Sequence, residues 1–137
     1  MQSYLLDTHA AIWMVRNDTL SPAAVAAINA AHQTGRVLYV SAITAWEVGL
    51  LVSLNRLDLL MPPRRWFERL LTVPGIRLAE LSADILVTSS FLPGTPPRDP
   101  ADRIMLATAR DIGATLITRD RVLLQYSRDG LVSALAC

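Results

Sequence analysis

Asp7, Glu47, Asp102 and Asp120 are acids to which local structure gives little to do. Asp7 follows the apolar run Tyr4-Leu5-Leu6, and Asp120 follows Thr115-Leu116-Ile117-Thr118 by one residue. Glu47 and Asp102 fall on otherwise apolar helical stripes. An acid in such a place needs a partner, because an unpaired buried charge is costly. If the four converge, their mutual repulsion favours a bound cation. Oxygen-only ligands select hard divalent ions, Mg²⁺ or Mn²⁺, over zinc. His9 has no Cys/His partners at zinc spacing, and His32 ends an alanine-rich helix with its ring expected in solvent. Such an ion keeps several waters and lowers the pKa of one, so hydrolysis is the chemistry this set implies.

Each acid also has a structural role open to it. Ile43, Glu47, Leu50, Leu51 and Leu54 share one helical face on which Glu47 is the sole charge, and an acid at the stripe's edge can snorkel to water. Asp102 heads a row with Met105, Leu106 and Ala109, in a first turn where negative charge suits the helix dipole. Asp99 is an N-cap before an N1 proline, with a supporting contact to the site as its second use. Asp7 could merely cap the helix beginning at Thr8, and Asp120 a short turn after Arg119. The joint pattern is what favours function over four separate structural accounts.

The elements that must position these acids alternate in type. Strands are expected at 4–6, 37–40, 76–78, 115–118 and 131–134. Helices are expected at 8–16, from Ser21-Pro22 to about His32, at 42–54, 64–71, 82–90 and 100–112, with Gly113 as the last stop. Strands alternating with helices imply a three-layer α/β/α fold around a central, mostly parallel sheet of four or five strands. Sites in such sheets form beyond the carboxyl ends of the strands, where Asp7 and Asp120 fall.

The chain of 137 residues is expected to be a single domain, 1–137, large enough for a core without disulfides. Hydrophobic residues make up 52% and charged ones 18%, which suits a buried sheet or a face reserved for a partner. Net charge is +1, so bulk electrostatics neither favour nor exclude nucleic acid. All 13 basic residues are arginine, which excludes every mechanism requiring lysine. The single cysteine, Cys137, is expected to be incidental and exposed. No basic leader precedes the apolar stretch 4–15 and no run approaches a membrane span, so a reducing cytoplasm is expected.

Four segments in order carry a family resemblance. Leu6-Asp7-Thr8-His9-Ala10 resembles the opening motif of PIN-domain ribonucleases. The segment 41–57, carrying Trp46-Glu47-Val48, is similar to their second motif. Asp99-Pro100-Ala101-Asp102-Arg103 with Leu106-Ala107-Thr108-Ala109 is similar to the third, and Leu116-Ile117-Thr118-Arg119-Asp120 to the fourth. The resemblance spans nearly the whole chain and extends in size to the VapC-like toxins of type II toxin–antitoxin pairs. It implies a metal-dependent endoribonuclease, an antitoxin partner and a homodimer, and it places the family's acidic quartet on Asp7, Glu47, Asp102 and Asp120. Pro97 and Ala101 depart from the pattern, standing where many relatives carry a histidine and an aromatic.

In this reading Asp7 is the central metal ligand, and Asp102 and Asp120 complete the cage. Glu47 binds metal or orients the attacking water as general base. Thr8 and Thr118 supply hydroxyl contacts beside the acids. Arg98, Arg103, Arg119 and Arg121 are candidates for RNA phosphates. Arg64, Arg65 and Arg69 with Trp66 and Phe67 form either a second RNA-binding cluster or a solvated helix face over core aromatics. Trp13 and Trp46 are expected in the core or at a dimer contact.

Other uses of strand-end acids fit less well. A phosphoacceptor receiver domain needs a late lysine, and a haloacid-dehalogenase-type phosphatase needs an aspartate where His9 stands. The main alternative is a non-catalytic PIN-like interaction module whose acidic pocket docks a basic partner segment.

Overall fold

Leu5 and Leu6 are both wholly buried yet point to opposite faces of one sheet, which is why Tyr4-Leu5-Leu6 contains no charged residue. The computed structural model describes residues 3–16 and 20–137. Five strands, β1 (Tyr4–Leu6), β2 (Leu38–Ser41), β3 (Ile76–Ala79), β4 (Thr115–Thr118) and β5 (Ala134–Ala136), pair in the order β3-β2-β1-β4-β5. Every pairing is parallel. The helices are α1 (Thr8–Arg16), α2 (Pro22–Gln33), α3 (Ala42–Ser53), α4 (Pro63–Leu70), α5 (Ala83–Thr88), α6 (Pro100–Ile112) and α7 (Arg121–Arg128).

Two apolar clusters, one per sheet face, make the three layers. Leu6, Val40 and Ile117 pack with Ile12 of α1, Ala31 of α2, and Trp66 and Leu70 of α4. On the other face Leu5 and Leu116 pack with Met105 and Leu106 of α6 and with Leu123 and Tyr126 of α7. Truncating Leu106, which has no exposed surface, should cost about 2–5 kcal/mol.

Local chemistry fixes where the helices start. The side chains of Ser21, Ser41, Ser82, Asp99 and Asp120 each accept a backbone N–H in the first turn that follows. Gly113 ends α6 at φ +65°, a left-handed conformation that a Cβ disfavours.

Three expectations need correction. The fifth strand begins at Ala134, not Leu131: Gly130 turns the chain at φ +79°, and the Leu131 carbonyl accepts from Arg110 rather than from a neighbouring strand. Asp120 caps the eight-residue α7 rather than a short turn. Cys137 is buried, because its amide extends the β4 pairing with a 3.0 Å bond to the Thr118 carbonyl. Of the two alternatives for the Arg64–Arg65–Arg69 helix, Trp66 takes the second and belongs to the core, while Trp46 is 57% exposed and lies outside both core clusters, which leaves the dimer contact of its two expected places.

Candidate active site

The sheet order reverses direction between β1 and β4, and crevices at such switch points are where open parallel sheets bind ligands. Leu6 pairs with Ile117, so the next residues, Asp7 and Thr118, leave the two strands side by side. The Thr118 hydroxyl donates to Asp7 Oδ2 at 2.5 Å and accepts the Asp120 amide at 3.0 Å. Asp120 then directs Oδ1 at the Val122 and Leu123 amides, 2.8 and 3.2 Å away. One hydroxyl thereby ties both strand-end acids together.

Glu47 arrives from the neighbouring strand. Leu6 also pairs with Val40, and Ser41 closes β2 and caps α3, which carries Glu47 past Asp7. The Thr8 hydroxyl donates to Glu47 Oε1 at 2.7 Å and lies 3.0 Å from the Thr44 hydroxyl. Thr8 has a single hydroxyl proton, committed to Glu47, so Thr44 must be the donor in that second bond. Thr8, Thr44 and Thr118 are all buried, so these contacts are held out of water. Asp102 enters from the first turn of α6, its amide bonded at 3.0 Å to the Asp99 side chain.

Asp7, Glu47, Asp102 and Asp120 line one cavity of about 310 Å³ together with His9, Trp13 and Arg119. A larger cavity of about 820 Å³ opens at the other end of the sheet, among Tyr4, Gly113, Thr115 and Ser133. Arg110 is its single charged residue, so it lacks a comparable set of acids. Among the candidate arginines only Arg119 reaches the acidic cavity. Arg98 and Arg121 are exposed elsewhere, and Arg103 Nε donates to the Pro97 carbonyl at 2.5 Å. Arg64, Arg65 and Arg69 do not line it either.

Three of the acids resist ionisation. Burial chiefly raises the Asp7 pKa, with Asp120 adding repulsion, while the Thr118 hydrogen bond and His9 oppose the rise. Burial also raises Glu47, opposed by the Thr8 hydrogen bond and reinforced by Asp7 and Asp99. Asp102 is pushed up to about 7 by burial, then by Asp99, Asp120, Asp7 and Glu47. A cation would relieve each of these penalties.

The donor set fits a hard divalent ion in kind: four carboxylates face a common cavity with no thiolate among them. The spacing departs from the expected cage. Among the described residues no three His, Cys, Asp or Glu side chains stand close enough to hold an ion directly. Mg²⁺ typically keeps several waters and uses only one or two carboxylates, so an open acidic cavity suits it better than a closed cage.

One wall was not anticipated. The His9 and Trp13 rings stack with centroids 5.6 Å apart, and the Arg119 guanidinium lies 4.0 Å over the Trp13 ring. Arg119 Nε also donates to the Cys137 carbonyl at 2.8 Å. The four-residue step from His9 to Trp13 was visible in sequence, since it puts both rings on one face of a helix. The contact with Arg119, made across the sheet, was not.

The chain matches the PIN domain family over residues 4–129. Ribonuclease VapC22 of Mycobacterium tuberculosis is 36% identical over 124 residues, covering 90% of this chain and 91% of that protein. Among solved structures, VapBC2 from Rickettsia felis, bound to a DNA fragment from their promoter, is similar with a TM-score of 0.67. The identity is 14%, over 98% of both chains. DNA-bound VapBC from Salmonella typhimurium is similar with a TM-score of 0.66 at 17% identity, over 99% of this chain and 98% of that one.

Proposed function

This chain belongs to the PIN-domain family, and we propose that it is an endoribonuclease dependent on Mg²⁺ or Mn²⁺, the toxin of a type II toxin–antitoxin pair. The observation that carries the reading is the meeting of Asp7, Glu47, Asp102 and Asp120 around one cavity at the switch point of the sheet. The 36% identity to a ribonuclease over nine-tenths of the chain supports the same activity.

Asp7, Asp102 and Asp120 would hold the ion in this reading, partly through its own waters, since no three of the acids reach one ion directly. When bound, it supplies Lewis acidity, activating water for attack on a phosphodiester and offsetting charge as that attack proceeds. Thr118 orients the Asp7 carboxylate and leaves its second oxygen to the cavity. Glu47, fixed on one oxygen by Thr8, orients the attacking water or receives its proton. Arg119 holds positive charge at the rim of an otherwise acidic cavity, where a substrate phosphate needs it.

An antitoxin and a second copy of the chain are the proposed partners. The VapBC complexes among the structural neighbours support the first. Exposed Leu86, Val87 and Phe91, none of which lines the cavity, offer apolar surface for such contacts. No helix among the described residues is long and apolar enough to cross a membrane. The reading requires a cytoplasmic protein, where RNA and a newly made antitoxin are both at hand.

Purified protein incubated with structured RNA and Mg²⁺ or Mn²⁺ tests the proposal. Cleavage should occur, stop on chelation with EDTA, and fall below detection in Asp7→Asn with its fold intact. Undiminished cleavage by that variant would refute the assigned role.

A further inference from the structure

A second cavity, of about 200 Å³, adjoins the acidic one and shares His9 and Glu47 with it as lining residues. Its other walls include the Trp46 indole, Leu50, Asp99 and Pro100. Trp46 is 57% exposed and Leu50 42% exposed, so two large apolar side chains of α3 face water beside the acids. Exposed apolar surface next to a reaction centre marks a place where a ligand is held.

The chemistry of the lining narrows the ligand. No arginine borders this cavity and the chain has no lysine, so it is not a phosphate site. An indole beside aliphatic carbon suits a flat aromatic ring, and unpaired bases are recognised by stacking on such side chains. Asp99 lines this cavity with a carboxylate, a side chain that accepts hydrogen bonds, whereas Glu47 is already committed to Thr8 and the acidic cavity. An exocyclic amino group offers such an acceptor two donors with no carbonyl on the same carbon, whereas uracil offers only its N3–H, flanked on both sides by carbonyl oxygens that repel a carboxylate.

We propose that this cavity is a subsite for one unpaired nucleobase next to the scissile phosphate, stacked on Trp46 and selecting amino-bearing bases over uracil. The inference rests on the ribonuclease reading and deepens it by assigning a source of sequence preference. Asp99 is a selecting residue as well as a helix cap. The two cavities adjoin, both bordering Glu47 and His9, so the base held here belongs to a nucleotide flanking the scissile bond.

The test uses short RNAs that share one cleavage site, with each nucleotide flanking the cut varied through A, C, G and U. Wild-type protein should cut substrates with an amino-bearing base on one side of the scissile bond faster than those with uracil there. Trp46→Ala should lower kcat/KM on the preferred substrates by roughly tenfold or more and flatten the base preference, while Trp46→Phe retains most of both. Asp99→Asn keeps an equally good helix cap but adds a donor, so it should shift preference towards uracil.

Trp46→Ala needs a folding control, and an unchanged melting temperature provides it, since so exposed a side chain carries little core packing. If wild type shows no preference at either flanking position, or Trp46→Ala and Asp99→Asn both keep the wild-type pattern, the subsite is overturned and the ribonuclease reading stands. If Trp46→Ala loses only binding to a protein partner, the face belongs to that partner and the subsite is likewise overturned. Absence of any metal-dependent cleavage by wild type would remove the ribonuclease reading, and the subsite with it.

Discussion

Thr118 and Asp7, separated by 111 positions in sequence, are joined by a 2.5 Å hydrogen bond from the threonine hydroxyl to Asp7 Oδ2. The bond follows from the β1–β4 register, and it is the strongest opposition to the burial that raises the Asp7 pKa. Thr118→Val removes the donor while keeping the shape, so the carboxylate is left with burial less opposed. The acid limb of the pH–rate profile should then move to higher pH, with activity at pH 7 down about tenfold or more. Thr118→Ser should restore the profile, and a series of rate measurements from pH 5 to 9 checks both.

Stability should also report the strained acids. The folded pKa of Asp102 lies near 7, against an ordinary 3.8, and those of Asp7 and Glu47 are raised as well. Between 3.8 and about 7 the folded chain binds more protons than the unfolded one. The contribution of these acids to the stability of the metal-free protein is therefore fully present below that window and is lost as pH rises through it. Asp102→Asn should melt at a higher temperature than wild type in EDTA at pH 8. The variant should also lose most of the stabilisation that Mn²⁺ gives wild type. Thermal melts with and without metal separate the two effects.

Much of this site was legible beforehand because acids after apolar strands have few structural explanations. Asp7 and Asp120 stood at strand ends, and the serine and aspartate caps marked where the following helices begin. Other features depended on what packs against what. The apolar run Leu131-Val132-Ser133 has strand composition, yet Arg110 takes the Leu131 carbonyl and pairing starts only at Ala134. Trp46 has the composition of a core residue, and only the packing of α3 shows that more than half of it stays exposed. The Trp13–Arg119 contact joins residues from α1 and the end of β4, a distance no local pattern spans. The wide spacing of the acids was equally invisible, since sequence shows that they share a rim but not how closely.

The threonine pair should rank in a fixed order. Thr8 gives its only hydroxyl proton to Glu47 and receives one from Thr44. Thr8→Val removes the direct contact and should lower kcat by about tenfold or more, whereas Thr44→Val only frees the Thr8 hydroxyl to rotate and should cost severalfold less. KM should change little in either. Steady-state kinetics on one RNA substrate decides the order, and equal losses would contradict the relay.

Arg119 is placed to act on substrate rather than on metal. Stacked on Trp13 and anchored by the Cys137 carbonyl, its guanidinium lines the acidic cavity in a fixed position. Arg119→Ala should raise KM severalfold and make it less dependent on salt, leaving Mn²⁺ affinity nearly unchanged. Lysine should not substitute, because it lacks the planar group that stacks on the indole. KM measured across a salt series, alongside metal titration, checks this.

The most direct measurement is a calorimetric titration of Mn²⁺ into the wild-type chain and Asp7→Asn, with RNA cleavage followed in the same samples. Wild type should take up the ion saturably, releasing protons near pH 7, with cleavage rising in step. The variant should show neither. Equal Mn²⁺ uptake by both proteins, or RNA cleavage at an undiminished rate in EDTA, would contradict the account.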